Sequence, residues 1–160
     1  MSQPSQPSNT SMKSNLFSKI LVAIDGSEHS FKAAEYALNL AKSSNARIYA
    51  ITVTSIPESA HLKEEDVLNR SRKNSDDMED AKSWLDNFNL QAKENNIQLN
   101  IELINSPRPV DYVILEYAEE KQIDLIVMGT RGRTGFKKLL LGSTASIVVT
   151  YAHCTVMVVK

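Results

Sequence analysis

Residues 123–143 read IDLIVMGTRGRTGFKKLLLGS. The first six form a short apolar run that stops at a turn signal, the pattern of a strand buried on both faces. The run ends at Gly129, and Gly132, Gly135 and Gly142 follow it. The whole chain has five glycines, so one loop takes all of them except Gly26. Glycine lets a backbone approach a ligand closely and present its N–H groups. Beyond Gly142, residues 143–151 read STASIVVTY. Their β-branched residues favour a strand, whereas their place between two strands predicts a helix. A helix starting at Ser143 would turn its unpaired N–H groups and the positive end of its dipole toward the glycine loop. Strand, glycine loop and helix start together have the parts of a phosphate cradle. The loop is not a P-loop, because no Gly-Lys-Ser/Thr closes it, and the spacing GxGxxG is absent.

The same alternation runs through the rest of the chain. Residues 19–25 (KILVAID) are a second buried-type strand, ending in Asp25-Gly26-Ser27. Gly26 supplies a tight turn and Ser27 a helix N-cap. Phe31, Ala34, Leu38 and Ala41, with Ala37 on the same face, predict an amphipathic helix to about Lys42. Residues 47–53 (RIYAITV) follow as a strand. Residues 54–75 are polar and contain Pro57, and are expected to form a long loop with one short helix near 64–68. From Asp76 a helix face returns with Met78, Ala81, Leu85, Phe88 and Ala92. Trp84 runs alongside it as a core or half-covered residue. Residues 97–104 (IQLNIELI) alternate apolar and polar, so that strand has one wetter face. Pro107 and Pro109 break the chain. Val110, Val113, Ile114, Tyr117 and Ala118 mark a further helix, and 154–159 (CTVMVV) a last strand. Strands alternating with helices imply an α/β protein: a mostly parallel sheet with helices on both faces. Ligands of such sheets bind beyond the carboxyl ends of the strands where the strand order reverses. Asp25 and Met128-Gly129 mark the most polar strand ends.

Composition sets the class. A chain of 160 residues, 42% hydrophobic and 23% charged, suits one globular domain. Residues 1–18 (MSQPSQPSNTSMKSNLFS) are rich in Ser, Pro, Gln and Asn, which predicts a disordered tail before a single domain over 19–160. One cysteine excludes an internal disulfide or a Cys-based zinc cluster within one chain. No apolar run approaches the ~18 residues of a membrane span. No apolar h-region marks a signal peptide, so a cytoplasmic location is expected, away from membranes. A net charge of −1 argues against nucleic acid as the partner. The charge is nevertheless lopsided. All 19 acidic residues lie at or before Asp124, and five of the 18 lysines and arginines, among them Arg131 and Arg133, come after it. An acid-free basic segment rich in glycine suits an anion. His29, His61 and His153 lack ligand spacing. Cys154 opens a buried-type strand as a small hydrophobe, and no nucleophile elbow is present.

The spaced glycines resemble the nucleotide motif of the universal stress protein family, G-2x-G-9x-G-[S/T], filled here by Gly129, Gly132, Gly142 and Ser143. Gly135 and the Leu139-Leu140-Leu141 run are similar too. So are the opening KILVAIDGSEHS, the DLIVMG before the loop and the closing CTVMVV. The resemblance covers residues 18–160. It implies a Rossmann-like doubly wound sheet of five parallel strands in the order 3-2-1-4-5, and a homodimer formed through the last strand. It also implies ATP and Mg2+ as ligands. By position, Asp25 would lie near the ribose or the metal-bound phosphates. The backbone of Ala23 and Val53 would border adenine, and Met128 and Gly129 the nucleotide at the end of strand four. Gly132, Gly142, Ser143 and Thr144 would hold phosphates, and Arg131 is a candidate phosphate partner. Magnesium would be held largely by the phosphates, with Asp25 the candidate protein ligand. The family's Gly-x-Pro after strand three is replaced by Asn105-Ser106-Pro107-Arg108-Pro109, so that stretch is left out of the site. The function implied is an ATP-binding regulatory protein of the stress response. A slow ATPase or phosphoryl-transfer enzyme on the same site is the alternative, and a dimeric interaction module without nucleotide is the third reading. No catalytic residue is assigned.

Overall fold

The computed structural model describes residues 16–55, 64–132 and 141–160. Strands and helices alternate along them: β1 (Lys19–Ala23), α1 (Glu28–Ser44), β2 (Arg47–Ser55), α2 (Glu64–Glu94), β3 (Leu99–Ser106), α3 (Val110–Lys121), β4 (Leu125–Gly129), α4 (Ser143–Tyr151) and β5 (Thr155–Val159). The strands form one sheet in the order β3-β2-β1-β4-β5. Every pairing is parallel, with Val22 beside Ala50 on one side and Val127 on the other. The doubly wound sheet expected from the alternation is therefore present, in the expected strand order. The stretch 143–151 is a helix, because Ala145 and Val148 must meet the sheet while the chain crosses from β4 to β5.

Each strand divides its side chains between two cores, as the two-residue period requires. Ile20, Val22 and Ile24 of the first strand region, with Leu125 and Val127, pack against Ala33, Ala37 and Ala41 of α1 and Leu85, Phe88 and Ala92 of α2. Leu21, Ile126 and Met128 pack on the other side against Ile114, Tyr117 and Ala118 of α3 and Ala145 and Val148 of α4. The small alanines let α1 lie close to the sheet. At the amino end of β1 the Asp124 carboxylate accepts the Ser18 N–H at 2.9 Å and the Ser18 hydroxyl at 2.8 Å. Phe17 packs against the α1–α2 core. The tail boundary expected at residue 18 thus falls inside an ordered contact, and residues 1–15 lie outside the described residues.

Three expectations need correction. The loop placed over 54–75 is shorter: β2 continues to Ser55 and α2 begins at Glu64. Residues 71–75 carry no apolar stripe, and Ser71, Arg72 and Lys73 are exposed. A solvated helix segment needs no such stripe, and no glycine or proline between 58 and 106 interrupts it. Phe31 is not in the core. The buried face of α1 runs through Ser30, Ala33, Ala34, Ala37, Leu38 and Ala41, which leaves Phe31 43% exposed on the flank. Met78 likewise stays exposed. The strand ends also differ from the expected runs by one or two residues: β1 stops at Ala23, β2 runs on to Ser55, β3 is shifted to Leu99–Ser106, and β4 and β5 begin at Leu125 and Thr155. Asp25 lies past the end of β1, not within it.

Ile126 is fully buried at the centre of the α3–α4 core. Ile126→Ala is expected to cost about 2–5 kcal/mol through lost burial and a residual cavity. Urea unfolding of the variant should show a lower midpoint with an unchanged slope.

Candidate functional site

The site begins where β1 stops. Ile24 still donates its N–H to the Ile51 carbonyl at 2.9 Å, and the buried Thr52 hydroxyl donates to the Ile24 carbonyl at 2.8 Å. These bonds fix the last backbone before Asp25. Gly26 then turns the chain at φ +80°, in the left-handed region that favours glycine. Asp25 Oδ1 accepts the Ser27 N–H at 3.0 Å and the Ser27 hydroxyl at 2.6 Å. Ser27 Oγ in turn accepts the Ser30 N–H at 3.1 Å, capping α1. The Ser30 hydroxyl donates to the Ser27 carbonyl at 2.9 Å and lies 3.3 Å from the Asp25 N–H, which donates to it. One hydroxyl network thus orients the Asp25 carboxylate and starts the helix.

The glycine loop leaves β4 beside this turn. Gly129 packs against α1 so tightly that a Cβ there would sit 2.7 Å from His29 Cβ. The Thr130 N–H donates to the Val159 carbonyl at 2.8 Å, and its own carbonyl accepts the Gly142 N–H at 2.7 Å. That bond pins the two ends of the loop together. Ser27 Oγ lies 3.3 Å from the Arg131 carbonyl. A Cβ on Gly132 would sit 2.7 Å from Asp25 Oδ2. Asp25, Ser27, Arg131 and Gly132 therefore meet at one point, joined through Thr130 to Gly142, Ser143 and Thr144.

Gly142 occupies the N-cap of α4 in extended backbone. The first intrahelical bond runs from the Ser146 N–H to the Gly142 carbonyl at 2.9 Å. The N–H groups of Ser143, Thr144 and Ala145 precede it in the first turn, where helix geometry gives them no carbonyl within the helix. Gly142 itself closes the loop, since its N–H is engaged by Thr130. Ser143 is exposed and Thr144 half-buried.

The remaining expected residues lie at the strand ends. Ala23 and Val53 are half-buried against the α3–α4 core. Met128 is 5% exposed within that core, so only its backbone can border a ligand. Gly129 pairs with Val159. Arg133, Gly135, Lys137, Lys138, Leu139, Leu140 and His61 lie outside the described residues. Ser27 was legible as a cap but not as the residue that holds Asp25. Trp84 covers Gly26, and no local signal could announce a contact across 58 positions. The donor set fits a nucleotide with a divalent cation. Backbone N–H groups at a helix start suit phosphate, and a carboxylate oxygen facing the loop suits a hard cation.

Two other reactive groups lie elsewhere. His153 Nε2 is 3.1 Å from the Ile123 carbonyl. Burial, and next the Asp124 charge, push the Cys154 thiol up from its ordinary value, so thiolate is scarce at neutral pH.

Comparison with known proteins assigns the chain. The model of the universal stress protein family matches residues 16–160. The chain belongs to the universal stress protein family. A universal stress protein of Methanocaldococcus jannaschii is 37% identical over 149 residues, covering 91% of this chain and 84% of its own length. The solved UspA of Lactobacillus plantarum superposes with a TM-score of 0.74 at 28% identity, covering 90% of this chain and 98% of that one. A universal stress protein solved in complex with cAMP gives 0.67 at 25% identity, covering 91% and 98%. Among the described residues of this universal stress protein, no helix is long and apolar enough to cross a membrane.

Ser27→Ala removes both the cap of α1 and a hydrogen bond to Asp25. It should lower stability by about 0.5–2 kcal/mol, the usual cost of a lost cap, read as a lower urea midpoint. Cys154 should react with iodoacetamide more slowly at pH 7.5 than a free thiol does, and reach the free rate in denaturant.

Proposed function

We propose that this universal stress protein binds an adenine nucleotide, ATP with Mg2+ in the first instance, beyond the carboxyl ends of β1 and β4. The observation that carries this is the contact of Asp25 with the start of the glycine loop. Gly132 has no side chain where a Cβ would crowd Asp25 Oδ2, and the loop's other end leads directly into the first turn of α4. The backbone N–H groups of Gly132, Ser143 and Thr144 would hold phosphates, with the Ser143 hydroxyl as a further donor. Asp25 would face the cation that the phosphates carry, and Arg131 would add positive charge at the rim. Ala23, Val53, Met128 and Gly129 would border the base. The glycine spacing over 129–143 supports the reading, as does the relative solved with cAMP.

The role proposed is regulatory, in a stress response: nucleotide occupancy sets the shape of a cytoplasmic homodimer or of its partner surface. Asp25 favours this over catalysis. Its Oδ1 already accepts two bonds from Ser27, which suits a fixed ligand of the cation more than a group that must take a proton from water. The homodimer would form through β5, which lies at the sheet edge. Ile147, Val149 and Tyr151 of the adjoining α4 expose apolar surface, Tyr151 to 70%.

Titration of nucleotide-stripped protein with Mg-ATP in a calorimeter should give saturable binding near about one ATP per chain, with the Tm rising as ligand exceeds Kd. Gly142→Val should abolish that heat, because a branched side chain would press on the Thr130 carbonyl that a Cβ already approaches to 3.1 Å. No heat with folded wild-type protein, or full affinity in the variant, would sink the site. Turnover that scales with protein and vanishes in Asp25→Ala would replace the regulatory reading by the enzymatic one.

A further inference from the structure

We infer that Trp84 of α2 is a positioning residue for the nucleotide site, holding the Asp25–Ser27 turn from behind; this rests on the nucleotide-binding reading above. A Cβ on Gly26 would overlap the six-membered ring of the Trp84 indole and fall 2.7 Å from Cε2. The indole therefore lies flush on the backbone of the residue that follows Asp25. Gly26 stands at φ +80°, so the turn is one that glycine alone adopts without strain, and it carries no side chain of its own to brace it. Phe31 meets the indole edge-on, with ring centroids 6.3 Å apart and planes at 80°. On its other side Trp84 packs against the α1–α2 core.

The Asp25 carboxylate is thus fixed twice. Ser27 holds Oδ1 through its N–H and hydroxyl. Trp84 blocks the backbone movement that would let the turn swing away from Gly132. A binding group held by a packed support keeps its direction when the ligand arrives, and a loose support loses affinity without losing the fold. The exposed position of Phe31 and the half-burial of Trp84 find their use here: the pair forms a brace between α1 and α2 at the site, not a piece of the deep core. The same contact makes occupancy of the site felt by α2.

Trp84 is the single tryptophan of the chain, so tryptophan emission comes from this residue alone. Mg-ATP is expected to shift that emission saturably, with the midpoint found by calorimetry. Trp84→Ala should weaken Mg-ATP by roughly tenfold or more, the usual effect of removing a supporting residue, with far-UV dichroism unchanged. Trp84→Phe, which keeps an aromatic ring beside Phe31, should recover most of the affinity. A purely structural Trp84 would lower Tm in the alanine variant and leave Kd alone. A folded Trp84→Ala protein with wild-type affinity overturns the inference. If the alanine variant does not fold, wild-type emission that stays constant through saturation, or Trp84→Phe binding no better than background, overturns it as well. Absence of calorimetric binding to the wild type is a separate result, which removes the nucleotide reading and this role with it.

Discussion

The parallel pairing of β1 with β4 is the constraint on which the rest depends. β1 hands its chain to α1 and β2 on one side of the sheet, while β4 hands its chain to α4 and β5 on the other. The two connections leave in opposite directions, and the sheet edge between them opens at its carboxyl end. The pairing of Val22 with Val127 and Leu21 with Ile126, buried on both faces, sets how far each strand reaches. Asp25 and Gly132 meet because those lengths match. A slip in that register would part the carboxylate from the glycine loop and turn the apolar residues of β4 into the wrong core.

Ser27 and Thr130 convert this topology into a site. Ser27 caps α1, holds Asp25 and approaches the Arg131 carbonyl. Thr130 binds β5 through its N–H and the far end of the glycine loop through its carbonyl. Both act through hydrogen bonds that join segments distant in sequence, and a buried bond left unmade costs about 1–3 kcal/mol. The loop can therefore be long in sequence yet narrow at its base, with residues 130 and 142 held together. A negative carboxylate beside a helix N-terminus and an arginine is a mixed field, one that suits an anion carrying its own cation better than either ion alone.

The buried parallel strands were legible because they write themselves as apolar runs, and KILVA and LIVMG are such runs; their order in the sheet came from the family resemblance. The α4 assignment rested on position between strands and holds. What escaped were features that do not depend on a local apolar pattern. In α2 Ser71, Arg72 and Lys73 are exposed, and residues 71–75 carry no apolar stripe. Phe31 follows helical spacing but sits at the margin of the buried stripe, where the small alanines leave it outside. In the candidate site, Gly132, Gly142 and Ser143 could be marked from spacing and Asp25 from its place at the end of the first strand. The part played by Ser27, Thr130 and Trp84 could not, because each works through a partner far away along the chain: Arg131, Val159 and Gly26. The engagement of the Gly142 N–H with Thr130 was equally hidden, and under the proposed function it leaves Ser143 and Thr144 as the phosphate donors at this helix start.

The most direct measurement is an amide NMR titration of labelled protein with Mg-ATP, resolved by residue. The account predicts that the largest shifts gather at Gly132, Ser143 and Thr144 and in the turn Asp25–Ser27, with a smaller response at the Trp84 indole N–H. Shifts gathered instead along β3 and α3, with the start of α4 and the Asp25 turn unmoved at saturation, would contradict it.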